Sequence, residues 1–126
     1  VFEAVISPDC GPPAGPYSPA IRAGGFLFIS GQGPFDGSGN LAGGTFAEQA
    51  HVVFDNLEAL ARAAGADLGR VVRLGAYLND LADFAQWNEV CEQRLSKPYP
   101  ARTTVPAVLP RFALEVDAIL LLEGAP

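Results

Sequence analysis

The chain has 126 residues, 49% of them apolar and only 17% charged, against the usual ~25% charged in soluble domains. That is one domain, spanning 1–126, with more apolar side chains than a small monomer easily buries, which predicts a subunit interface. The net charge of -6 lacks the basic footprint of nucleic-acid and anionic-lipid binders, and one His, two Cys and no Met exclude most multi-ligand metal sites and any disulfide framework.

Glu3 to Ser7 alternates weakly and reads as an edge strand. Pro8 to Pro19 is a loop, broken by Gly11-Pro12-Pro13 and Gly15-Pro16. A further short strand is expected near Ala20. Phe26 to Ser30, bounded by Gly25 and Gly31, reads as a strand. Gly33 to Gly44 is a long turn region. Thr45 to Ala64 carries the strongest helical period, with Thr45 and Glu48 at capping-box spacing and Gly65 placed to stop it. Val71 to Leu78 reads as a core strand. Asp80 is placed to cap a second helix running to about Leu95, with Phe84, Trp87, Cys91 and Leu95 on one stripe. Pro98 and Pro100 block its extension. Arg102 to Val108 and Ala113 to Leu122 read as two closing strands.

Two helices can cover only one face of such a sheet. Several strands are nevertheless apolar on both faces: Phe26 and Phe28 oppose Leu27 and Ile29, and Leu120 opposes Ile119 and Leu121. A second subunit is the expected cover, and a pocket between subunits would result. No run reaches the ~18 apolar residues of a membrane span, and the start matches neither a secretory signal nor a transit peptide. Val1 in place of Met reads as a processed or trimmed start. A cytoplasmic location is expected.

Several familiar motifs fail. His51 lies on the first helix without an acid or thiol at ligand spacing, so a structural or surface role is expected. The Asp36 to Asn40 segment begins like a calcium loop, but Leu41 and Ala47 occupy the positions of the required Gly and Glu. Gly31-Gln32-Gly33 is followed by Pro34 and opens no helix, so it is no dinucleotide fingerprint. What remains is a set of polar residues in apolar surroundings: Ser30, Asn88, Arg102 and Glu115. A half-buried Arg102 needs an anion. One reading is a structural pair with Glu115. The other is that its planar fork holds a substrate carboxylate while Glu115 handles a proton or a water.

Gly15-Pro16-Tyr17-Ser18, Phe28-Ile29-Ser30-Gly31-Gln32, Tyr77-Leu78-Asn79-Asp80-Leu81, Asn88, Pro100-Ala101-Arg102-Thr103-Thr104-Val105, Leu109-Pro110 and Leu114-Glu115-Val116 occur in the order found in the Rid (RidA/YjgF) family of reactive intermediate deaminases, which the chain resembles over nearly its whole length. The resemblance implies a chorismate-mutase-like α+β fold: a mixed sheet with two helices on one face, assembled as a homotrimer with active sites at the subunit interfaces. It also implies hydrolysis of 2-imino or enamine acids, such as 2-iminopropionate, to 2-keto acids and ammonia, without metal or cofactor. Arg102 would bind the carboxylate and Glu115 orient the water. Tyr17, Ser30 and Asn88 would line the cleft, and Thr104 would sit beside the imine. Thr104 stands where many members carry Cys, so thiol chemistry is lost there. Cys91 stands where an aromatic residue is usual. The stretch from Arg102 to Glu115 is slightly short, which makes Asp117 the alternative partner of Arg102. Two other readings compete: a non-catalytic, small-carboxylate-binding regulatory or chaperone-like trimer, and a ribonuclease or translation inhibitor, which the acidic balance opposes.

Overall fold

The computed structural model describes residues 1–122. The span expected for the domain continues to 126, so its last four residues lie outside the described part. Six strands follow the alternation of the sequence: β1 (Phe2–Val5), β2 (Ala20–Ala23), β3 (Phe26–Gln32), β4 (Val71–Leu78), β5 (Ala101–Pro106) and β6 (Leu114–Leu121). Two α-helices, α1 (Phe46–Ala63) and α2 (Phe84–Arg94), and two single 3-10 turns, Leu68–Arg70 and Leu81–Asp83, complete the regular structure of the described residues. The sheet order is β1-β2-β3-β6-β4-β5. Every neighbouring pair is antiparallel except β4 and β5. Parallel strands cannot be joined by a tight turn, and α2 supplies the crossover between that pair.

The helix α1 starts where the capping box predicts. Thr45 Oγ1 accepts the Glu48 backbone N–H at 3.2 Å, and Glu48 Oε1 accepts the Thr45 N–H at 2.9 Å. Its inward stripe of Ala50, Val53, Phe54, Leu57, Leu60 and Ala61 is buried against the sheet. Gly65, at φ 83°, turns the chain out of the helix in the left-handed conformation that glycine adopts without strain. The second helix packs beside the first through Phe54 and Trp87, whose rings stack at 5.7 Å. Burying each such side chain contributes roughly 1.5–3 kcal/mol.

Several boundaries differ from the sequence reading, among them β3, which runs through Gly31 to Gln32 instead of ending at Ser30. Asp80 does cap, but what it caps is a single 3-10 turn, Leu81–Asp83, through Ala82 N–H; α2 begins only at Phe84. The buried stripe accordingly comprises Trp87, Val90 and Cys91, while Phe84 is 42% exposed. The first strand is shifted to Phe2–Val5. The fifth stops at Pro106, opposite Leu78 where β4 ends; the Ala107 N–H still donates to the Leu78 carbonyl at 2.9 Å, and Val108 is left exposed.

Both helices lie on one face of the sheet. Leu27 and Ile29 of β3, Leu74, Ala76 and Leu78 of β4, and Leu114, Val116, Ala118 and Leu120 of β6 are buried beneath them. The fold is therefore the expected α+β arrangement of a mixed sheet with helices on one side. The opposite face is apolar too. Phe28 pairs with Ile119 and Phe26 with Leu121 across β3 and β6, and Phe26, Phe28 and Val105 are 37%, 43% and 39% exposed in the single chain. No helix of the described residues is long and apolar enough to cross a membrane.

Candidate functional site

Strand register decides which face each polar residue occupies. In the β4–β5 pair, Leu74 is opposite Arg102 and Ala76 opposite Thr104. Leu74 and Ala76 are buried on the helix side, so Arg102 and Thr104 share that side. There Arg102 Nη2 donates to Asn88 Oδ1 at 2.7 Å, and Nη1 donates to Cys91 Sγ at 3.6 Å. The helical spacing of Asn88 and Cys91 presents both to the same guanidinium. The guanidinium carbon also lies 5.5 Å from the Phe84 ring centre and 5.8 Å from that of Trp87, within cation–π range. Trp87 Nε1 in turn donates to Thr104 Oγ1 at 3.2 Å. A cleft of about 300 Å³ opens here, lined by Asn88, Cys91, Glu92, Tyr99 and Arg102 among others. Burial pushes the Cys91 thiol up, and the neighbouring Arg102 opposes that rise.

Glu115 sits elsewhere. It pairs with Tyr77, and Asp117 pairs with Gly75, which puts both carboxylates on the face away from the helices. Glu115 lies against β3 at Gly31, where an added Cβ would fall 2.5 Å from its Oε2. Burial, and then the negative charge of Asp117, push the Glu115 carboxyl above its ordinary range. Asp117 is held by the Tyr77 hydroxyl, which donates to Oδ2 at 2.9 Å. A second cleft, of about 400 Å³, is lined by Tyr17, Gly31, Arg111, Phe112 and Glu115 together with prolines of the first loop.

Two residues anchor that loop. The Tyr17 hydroxyl accepts the Ala14 N–H at 3.1 Å. Ser30 Oγ donates to the Ser18 carbonyl at 2.7 Å while the Ser30 N–H reaches the Pro19 carbonyl at 2.9 Å. The sequence reading missed Asn56. Its buried side-chain amide donates to the carbonyls of Gly33 and Phe35 at 3.3 and 2.8 Å, and its backbone carbonyl accepts the Cys10 thiol at 3.4 Å. The signal was a lone amide between Val53 and Leu57 on the most regular helix, a position that must find partners when buried.

The chain thus brings Arg102, Asn88 and Thr104 together on one side and Tyr17 and Glu115 on the other, with Ser30 bracing the loop between β2 and the first prolines. It does not bring Arg102 to Glu115. A structural pair between them within one chain is ruled out, because their strands flank β4 with side chains on opposite faces. Asp117 fails as the alternative partner for the same reason. His51 joins the helices, as a structural histidine does: Arg94 Nη1 lies 3.2 Å from His51 Nδ1 and donates to the His51 carbonyl at 3.0 Å, while Arg94 Nη2 holds Asp55 at 2.8 Å.

Comparison with known proteins gives a consistent result. A family model described as Endoribonuclease L-PSP matches residues 10–121. A RutC family protein of Pyrococcus horikoshii is 40% identical over 96% of this chain and 98% of its own. A 2-iminobutanoate/2-iminopropanoate deaminase of Dermatophagoides farinae is 33% identical over 96% of this chain and 98% of its own. Among solved structures, RidA from the Antarctic bacterium Psychrobacter superposes with a TM-score of 0.90 at 39% identity, covering 95% of this chain and 99% of that one.

Proposed function

The chain belongs to the Rid (YjgF/RidA, Endoribonuclease L-PSP) family, and on that premise we propose that it hydrolyses 2-imino acids to 2-keto acids and ammonia in a homotrimer whose sites lie between subunits. The observation that carries this reading is the split itself. A cation aimed by Asn88 and a carboxylate with a raised affinity for protons occupy two clefts on opposite faces of one sheet. Neither half is a site alone. The exposed Phe26, Phe28 and Val105 face gives a second copy reason to cover it, and that docking would set the Arg102 cleft of one chain against the Glu115 cleft of the next.

In such a site Arg102 takes the substrate carboxylate. Asn88 fixes the fork, and the Phe84 and Trp87 rings hold its plane. Acting on the protonated imine, Glu115 as carboxylate accepts a proton from water as the oxygen bonds to the imine carbon and the C=N π pair moves to nitrogen, giving a neutral carbinolamine. It then gives that proton to nitrogen. The C–N bond breaks, ammonia leaves with the bonding pair, and the hydroxyl passes its proton to the Glu115 carboxylate as the carbonyl forms. A carboxyl raised by burial suits the second half of that exchange, since it holds its proton nearer to neutral pH. The C=N bond is already labile in water, so holding the reactants in attack geometry suffices and no activated nucleophile is required. A ribonuclease, the activity in the family model's description, would need a cationic track for phosphates, and the balance of 8 basic to 14 acidic residues opposes it.

Subunit complementation tests the proposal. Arg102→Ala and Glu115→Gln should each abolish release of pyruvate from freshly generated 2-iminopropionate while leaving the oligomer intact by size exclusion. Co-refolding the two inactive variants should restore part of the activity, because some interfaces then carry both intact halves. A mixture that stays inactive, or a single variant with full turnover, would overturn the shared site. Binding of a keto acid by the unsubstituted chain without any turnover would favour the carboxylate-binding alternative.

A further inference from the structure

We propose that Arg111 selects among substrates, favouring 2-imino acids that carry a second anionic group on the side chain; the proposal rests on the deaminase reading. In the single chain, before a second subunit takes its share, the Glu115 cleft is large for a three-carbon imino acid. Its volume of about 400 Å³ is the share of roughly a dozen waters, whereas 2-iminopropionate has only a handful of heavy atoms. With the α-carboxylate on Arg102 and the imine carbon at Glu115, the substrate side chain has this cleft to occupy. Most of its wall is apolar, from Pro12, Pro13, Phe35, Pro110 and Phe112. Arg111 is the cation on that wall.

Two features set Arg111 apart. The first is its lack of an internal partner. Six of the seven arginines have an acceptor: Arg22 holds Glu3, Arg62 Glu58, Arg70 the Leu121 carbonyl, Arg73 Thr103, Arg94 Asp55 and Arg102 Asn88. Among the described residues, Arg111 has no hydrogen-bond or ion-pair partner, although the chain carries an excess of acids. The second is its backbone. Arg111 is the one described non-glycine residue with a positive φ, at 71°. That conformation costs an arginine on the order of 1 kcal/mol or more, and surroundings must enforce it. Here they do. Asn79 Nδ2 donates to the carbonyls of Leu109 and Phe112 on either side, the Ala113 N–H is held by Gln49 Oε1, and the Phe112 ring packs edge-on against Phe35 at 5.5 Å. The turn is fixed, and a position that glycine would occupy without strain holds a charge at the cleft instead.

An anionic side chain entering this cleft meets Glu115, which repels it, and Arg111, whose two-donor fork matches a carboxylate. Arg111 therefore decides whether a dicarboxylic imine is admitted. A substrate with an uncharged side chain has nothing to gain from it.

The experiment compares kcat/KM for the imine of pyruvate and the imine of 2-oxoglutarate, each generated in situ by an amino-acid oxidase. The unsubstituted chain should favour the second. Arg111→Asn removes the charge and keeps a residue that tolerates positive φ, and it should lower the dicarboxylic-to-monocarboxylic ratio by roughly tenfold or more, as loss of a charge-assisted hydrogen bond does. Arg111→Lys should recover most of the ratio. A ratio within about twofold of the unsubstituted value in Arg111→Asn would overturn the proposal. So would an unsubstituted chain that prefers the imine of pyruvate, which would leave the deaminase reading standing. Turnover of neither imine would remove both.

Discussion

Gly31 is the contact through which strand β3 sets the position of the Glu115 carboxylate, so Gly31→Ala is a sharp perturbation of that one group. A methyl built there lies 2.5 Å from Oε2, 2.9 Å from Cδ and 3.1 Å from Cγ of Glu115. Ordinary van der Waals contact begins near 3.4 Å, so the carboxylate must retreat by roughly 1 Å. The group that yields is the end of a half-buried side chain, and Gly31 is not at positive φ, so alanine fits the backbone. Replacing glycine by alanine at a compatible position also stabilises by about 0.4–1 kcal/mol through the unfolded chain. Net stability should change by less than about 1 kcal/mol, a shift of only a few degrees in Tm for a chain of this size. Turnover should respond far more, since a misplacement of about 1 Å at a reacting group costs on the order of a hundredfold. The assay is kcat/KM for 2-iminopropionate alongside calorimetric melting. Activity within about threefold of the unsubstituted chain, in a protein that Glu115→Gln inactivates, would refute the reasoning. A Tm loss beyond about 10 °C would show that the methyl is accommodated by the backbone and not by Glu115.

The same geometry sets two further outcomes. Thr104→Val removes the acceptor of the buried Trp87 Nε1–H and should destabilise the chain by about 1–3 kcal/mol in urea unfolding, while Thr104→Ser, which keeps the hydroxyl, should cost less; equal costs would remove the hydrogen bond as the cause. Glu115 binds its proton more tightly in the folded chain than in the unfolded one, because burial and then Asp117 raise it, so its contribution to stability is full below the ordinary carboxylate range and is lost as pH rises through the raised value; Glu115→Gln should flatten that fall in melting scans from acidic to neutral pH, and superimposable profiles would count against it.

Much of the fold was legible from local signals. The Thr45–Glu48 box and the apolar period of α1 fix that helix to within a residue, because capping and amphipathicity act over one or two turns. The two-faced apolar character of β3 and β6 was legible too, since alternation is a property of each strand alone. Asp80 was harder. A good N-cap residue marks the start of a turn of either helical type, and the packing of the next few residues decides between a 3-10 turn and an α-helix. The separation of Arg102 from Glu115 was not legible. Periodicity tells which residues of one strand share a face, but not how the phase of one strand relates to that of another. That relation is set by the pairing of both strands with β4, at Leu74 for Arg102 and at Tyr77 for Glu115, and it depends on contacts between residues far apart in sequence. Asn56 escaped notice for a similar reason, because its partners, Gly33, Phe35 and Cys10, lie in loops well before it in the chain.

Trp87 is a packing residue, stacked on Phe54, bonded to Thr104 and lying beneath Arg102. It is also the chain's one tryptophan, and it is fully shielded from solvent. Its indole emission therefore comes from a single environment with a positive charge 5.8 Å from the ring centre. An anion that settles on Arg102 changes the field across that ring, and a helix that loosens from the sheet lets water quench it. The protein thus carries its own optical probe: a change in emission of the folded chain should report ligand arrival, and a red shift should report loss of the helix layer, in one cuvette and without a label.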